Sequence, residues 1–172
     1  GVTQVGGSNR AWYSNLEPLA DGSVLLTHRA DDDVVAARLD GGGNMVIPPT
    51  TLAADRYPSL IDATQLPNGK IALAWTSWGV YRMIVNAALQ VEAAPVWLDP
   101  VSPLGAQNLS VTKSGNRAVL TWGDGCCNYY PNLYYALLDD AGNTVTQPMI
   151  FLTDSQGYYL QPPGNGQGAT SL

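Results

Sequence analysis

The chain repeats itself, and the repetition limits its fold more than any other feature. Three segments align: WYSNLEPLADGSVLLTHRADD, YPSLIDATQLPNGKIALAWTSWG and AQNLSVTKSGNRAVLTWGDG. Each reads as an apolar strand, a turn and a second strand. The turns are Asp21-Gly22, Asn68-Gly69 and Ser114-Gly115, dipeptides that tolerate the positive φ of a tight hairpin. They recur at about 47 residues, the length of one four-stranded propeller blade. Beyond each glycine the second strand reaches His28, Trp75 and Trp122, so a bulky ring returns at one structural place. Ala37-Arg38-Leu39-Asp40 before Gly43-Asn44 then matches Leu137-Leu138-Asp139 before Gly142-Asn143, a third strand with its own turn. The middle repeat keeps this strand at Ile84 to Leu89 but carries Gln90-Val91 where the others have Gly-Asn. The units close on Leu52, Leu98 and Leu152.

The expected fold is all-β and β-propeller-like, with about three four-stranded blades and partial terminal strands. A β-sandwich is the alternative, but it does not require matched positions in successive segments. The chain then forms one repeat region, residues 1–172, with blades at about 9–55, 56–102 and 103–154. Residues 155–172 read as a partial next blade or a tail. The pattern of a Pro-Ser-Leu or Asn-Leu-Ser strand, a Gly turn, a strand ending in Ala-Trp or Thr-Trp, and Leu-Asp-x-x-Gly-Asn resembles bacterial secreted β-propeller repeats. The resemblance spans about residues 9–154. It implies a scaffold or binding platform, exported to a secreted or cell-surface location. Propellers close with about 4 to 8 blades, so the expected partners are further blades of a longer chain or identical copies.

Composition agrees with strands. Hydrophobic residues make up 45% and charged residues only 13%, alongside 18 Gly and 12 Pro. Short strands with tight connections need few charges, whereas solvated amphipathic helices need a charged outer face. A net charge of −6 with only eight Lys plus Arg opposes contact with a phosphate backbone, so no nucleic-acid partner is expected. No apolar run approaches the roughly 18 residues of a membrane span, and Gly1 to Arg10 lacks the charged-then-apolar order of a signal peptide.

The most unusual chemistry lies in Gly125-Cys126-Cys127-Asn128-Tyr129-Tyr130, between two strands of the third repeat. Adjacent Cα atoms sit about 3.8 Å apart, below the usual disulfide span of about 4.4 to 6.8 Å, so a Cys126–Cys127 bridge closes a strained ring. The only two cysteines of an exported chain have no other partner within it. A vicinal disulfide, free buried thiols, and metal or intermolecular pairing all stay open. A bridged pair beside Tyr129 and Tyr130 makes a stiff platform for a sugar ring or peptide side chain, Tyr offering an apolar face and a hydroxyl. Loop stiffening alone, with Tyr134 and Tyr135 packed between blades, is the simpler reading. Trp78 and Tyr81 fall in the matching loop of the middle repeat and join Tyr129 and Tyr130 as candidate ligand-binding residues.

No catalytic residue is assigned. His28 occupies the recurring Trp position and reads as packing. Zinc needs four ligands, more than two cysteines and one histidine supply, and Asp31-Asp32-Asp33 and Asp124 lack calcium-loop spacing. No metal or cofactor is therefore expected. Glycoside hydrolysis needs convergent carboxylates, yet Glu17 and Glu92 sit in different repeats without a motif, and the Ser-x-Asp-x-Gly-x-x-Trp box of sialidases is absent. Asn108-Leu109-Ser110 fits the glycosylation pattern but falls in a strand. The functional expectation is a non-catalytic binding or scaffolding module presenting loops to a glycan or protein. The alternatives are part of a propeller hydrolase or lyase with active residues elsewhere, and a structural component of a surface assembly.

Overall fold

The computed structural model describes residues 11–54, 56–98, 106–126 and 129–153, and the described residues contain twelve strands and no helix. The first sheet holds β1 (Ala11–Pro18), β2 (Val24–Ala30), β3 (Asp33–Leu39) and β4 (Met45–Ala53). The second holds β5 (Leu60–Gln65), β6 (Ile71–Thr76), β7 (Val80–Val85) and β8 (Val91–Trp97). The third holds β9 (Ala106–Ser114), β10 (Arg117–Cys126), β11 (Tyr129–Leu138) and β12 (Thr144–Thr153). Each sheet is an antiparallel meander in chain order, as expected of propeller blades.

Alternation along the strands sends apolar side chains to both faces, so every blade must pack twice. In β6 all six residues are buried. Ile71, Leu73 and Trp75 join Leu25, Val34 and Ala36 in a core between the first and second sheets. Ala72 and Ala74, on the opposite face, join Leu109, Leu120 and Trp122 between the second and third. Large rings thus meet small side chains, which lets neighbouring sheets approach closely. The recurring ring position has a repeated partner. Trp75 stacks on Tyr81 at 5.6 Å and Trp122 on Tyr134 at 5.8 Å, while His28 is buried opposite Val35.

The turn between the third and fourth strands is the same in every sheet. Asp40 N–H donates to Asn44 O and Gly43 N–H to Asp40 O; Asp139, Asn143 and Gly142 repeat the pattern. In the middle sheet Asn86 takes the Asp place and Leu89-Gln90 the Gly-Asn place, one residue earlier than the sequence alignment put it. Leu89 therefore carries φ 61° where Gly43 has 81° and Gly142 has 84°. Burial of its side chain in the core offsets the strain of a left-handed leucine. The hairpin β9–β10 also differs: Ser114 pairs with Arg117 across two residues with Gly115 first, where Leu66 bonds Lys70 across three with Gly69 last, so Trp122 falls at the seventh position after its glycine.

Outer strands carry a shared defence against edge pairing. Pro49, Pro95 and Pro148 each follow the left-handed turn residue by six positions and sit where the register skips. A missing N–H and a bulge both blunt a sheet edge.

Two glycine substitutions separate backbone strain from sheet-to-sheet packing. A Cβ at Gly43 meets nothing within 4 Å, whereas one at Gly142 falls 2.3 Å from Ile84 Cγ1 of the second sheet. Gly43→Ala is expected to cost about 1 kcal/mol, and Gly142→Ala about 2–4 kcal/mol through added overpacking. Urea denaturation of the two variants checks this, and equal losses would contradict the packing assigned to this turn.

Candidate functional site

The hairpins β2–β3, β6–β7 and β10–β11 occupy corresponding places in the three meanders, and the first two help to form a cleft. The cleft, about 460 Å³, is lined by Arg29, Tyr57, Ser59, Ser77 and Trp78. Trp78 sits in the β6–β7 turn, which Ser77 N–H closes onto Gly79 O at 2.9 Å, and its side chain is 89% exposed. Tyr57 comes from the link between β4 and β5 and is 54% exposed. Its φ of 47° is unusual for a bulky residue, and doubly so before Pro58, where extended backbone is favoured.

A local network holds that link against the β2–β3 turn. Asp32 O accepts from Arg56 N–H at 2.8 Å and Tyr57 N–H at 2.9 Å. Arg29 donates through Nη2 to the Asp32 carboxylate at 2.9 Å, through Nη1 to Pro58 O at 3.3 Å, and through Nε to Asp31 O. Asp31 is itself left-handed at 51°. Left-handed residues held by surrounding structure cluster at binding sites, because the strain presents groups in a fixed pose.

A second polar site ties the inner strands. Asp62, on β5 and only 6% exposed, accepts from Asn15 Nδ2 on β1 at 2.5 Å and from Val111 N–H on β9 at 2.6 Å. Its Oδ1 also accepts from Ala63 N–H at 2.9 Å. Desolvation pushes the carboxyl up to about 6, outweighing these donors, and the neighbouring Glu17 charge adds to the rise. Glu17 reaches β5 as well, accepting from Thr64 Oγ1 at 3.1 Å.

The chain matches no protein-family model and no curated protein. Solved structures do match. The GH43 BlXynB protein from Bacillus licheniformis is similar at a TM-score of 0.55 and 11% identity, over 78% of this chain and 29% of that one. A thermostable family-43 glycoside hydrolase gives 0.54 and 11%, over 82% of this chain and 54% of its own. An alpha-L-arabinofuranosidase from Lactobacillus brevis gives 0.50 and 16%, over 83% and 54%. The architecture is propeller-like. The chain spans 29% to 54% of these neighbours, and identities this low speak to fold alone.

Among the residues singled out from sequence, Trp78 lines the cleft. Tyr81 lies in β7 rather than in the loop, half-buried with its ring stacked on Trp75. Cys126 ends β10 and pairs in register with Tyr129 at the start of β11. The side chains of Cys126, Tyr129 and Tyr130, and the whole of Cys127, lie outside the described residues. His28 is buried at 2% exposure, and burial holds its ring below the usual histidine range. Asn108 Nδ2 is buried, so its glycosylation pattern is inaccessible in the folded chain. Among the described residues no cluster of His, Cys, Asp or Glu suits a metal ion, and no helix is long and apolar enough to cross a membrane. Sequence reading missed Tyr57, Arg29 and Asp62. An Asp within the apolar run Leu60-Ile61-Asp62-Ala63 was the available signal, since Asp is depleted in strands.

Because the folded Asp62 carboxyl sits above its ordinary 3.8, the folded chain holds this proton more tightly than the unfolded one. Its contribution to stability is full below about pH 4 and fades as pH rises through about 6, a change on the order of 2–3 kcal/mol. Urea denaturation of the native chain and Asp62→Asn across pH 4 to 7 should show the native chain losing stability relative to the variant as pH rises. Parallel curves would show that Asp62 titrates alike in both states.

Proposed function

We propose that this chain is a non-catalytic carbohydrate-binding segment of a secreted or cell-surface propeller protein, and that it holds sugar in the cleft between its first two blades. The observation that carries the reading is Trp78: a large ring, 89% exposed, on a hydrogen-bonded turn above a cleft that also presents Tyr57. An indole left in water costs free energy unless a ligand covers it. Sugar rings offer C–H faces to aromatic planes and hydroxyls to polar groups, and Ser59, Ser77 and Tyr57 supply the latter. Tyr129 and Tyr130, which follow Cys126 and Cys127 in the sequence, are proposed as further ligand contacts. On the third sheet, Val119, Tyr135 and Leu137 lie half-buried on the face opposite Leu120, Tyr134 and Ala136. That face receives a further blade, from a longer chain or an identical copy.

A glycosidase reading draws on Asp62 and Glu17, two acidic side chains that both reach β5. Its weakness is access, since Asp62 is buried and both of its oxygens accept N–H donors within the protein. A purely structural role leaves the Trp78 cleft unexplained.

A glycan array followed by calorimetry tests the proposal. Trp78→Ala is expected to weaken binding about tenfold, roughly 1.4 kcal/mol, with no hydrolysis of the bound glycan by the native chain. Tyr129→Ala and Tyr130→Ala measure the share of the second hairpin. Undiminished affinity in Trp78→Ala would remove the cleft as the binding site, and hydrolysis abolished by Asp62→Asn would favour the glycosidase reading.

A further inference from the structure

Resting on the carbohydrate reading, we infer that the cleft selects uncharged sugars and rejects uronate-bearing and sulfated glycans. Among the described residues Arg29 is the only charged one lining it, and a lone arginine in a sugar cleft ordinarily suggests an acidic ligand. Its hydrogen bonds argue the reverse. Every nitrogen of the guanidinium already serves the protein: Nε the carbonyl of Asp31, Nη1 that of Pro58, and Nη2 the Asp32 carboxylate. Bidentate capture of a carboxylate or sulfate needs two parallel N–H groups on adjacent nitrogens, and three of the five guanidinium N–H groups, one on each nitrogen, are already committed within the protein.

Charge points the same way. The Asp32 salt bridge neutralises Arg29, and Asp31 and Asp33 flank it on the β2–β3 hairpin. An arriving anion thus meets a compensated cation on an acidic hairpin, Asp31-Asp32-Asp33, of a chain with net charge −6. Arg56 sits on the exposed link beside Tyr57 but does not line the cleft. The remaining lining groups are two aromatic faces and neutral hydroxyls, which suit a neutral pyranose or furanose and give an anion no compensation. Arg29 acts here as a positioning residue that fixes the Tyr57 link.

The test uses the full chain and matched neutral and uronic-acid oligosaccharides of equal length and linkage, covering gluco-, galacto- and manno-configured pairs. Neutral members should bind at least about tenfold more tightly in 20 mM salt, with the gap narrowing in 500 mM salt as screening grows. Equal or tighter binding of any uronate member overturns the inference while leaving the carbohydrate reading intact. Binding of no member of any pair overturns that reading and the inference with it. Asp32→Asn removes the carboxylate charge that neutralises Arg29 while keeping an oxygen acceptor for Nη2, so it should shrink the neutral-to-uronate ratio severalfold. An unchanged ratio in that variant, with its fold verified by circular dichroism, would contradict the charge argument.

Discussion

A four-stranded sheet with two apolar faces cannot shield both by itself, and every larger feature of this protein follows from that constraint. The middle blade shows it most clearly. β6 buries side chains on both sides, Trp75 and Leu73 toward the first blade and Ala72 and Ala74 toward the third. Packing of large against small across each joint brings the blades close enough for polar atoms to bridge them. Asp62 uses that closeness, receiving N–H groups from the strands on either side of its own. Its carboxylate satisfies donors that would otherwise be buried without partners, at the cost of its own desolvation.

The same stacking creates the cleft. The second blade is entered through a link from the outer strand of the first, and this link before β5 must cross from one sheet to the next beside the β2–β3 hairpin. Two backbone bonds to Asp32 O and the Arg29–Pro58 contact fix that crossing. The fixed crossing leaves Tyr57 in a left-handed conformation with its ring outward. Trp78 arrives from the adjacent blade on a turn with no core to cover it. An aromatic-lined depression thus arises at a joint between successive sheets, where two independent backbone segments contribute side chains to one cleft.

Much of this was legible in the sequence, because turn chemistry and hydrophobic alternation are local. Asp40 and Asp139 announced their turns through the glycines three residues on, and the three ring positions announced the second strands. Failures arose where tertiary packing overrode local preference. Leu89 hides a turn because leucine seldom adopts positive φ, and only its buried side chain explains the choice. Tyr57 precedes a proline and reads as extended; the bonds that bend it come from Asp32, far back in the chain. Trp78 was recognisable as an aromatic at a hairpin tip. Tyr81 was not separable from it, because the end of the loop depends on where cross-strand pairing with Trp75 begins. Asp62 stood out in an apolar run, but its role was not legible locally, since its partners lie 47 residues before and 49 after it.

Two places could hold a ligand: the joint between the first two blades, and the inner strands beside Asp62. A crystal structure of the chain with a bound neutral oligosaccharide decides this directly. The expected result is a sugar ring lying flat against Trp78, with hydroxyls toward Ser59 and Ser77 and the Asp62 contacts to Asn15 and Val111 unchanged. A sugar seated at Asp62 with those contacts broken, and no sugar against Trp78, would contradict it.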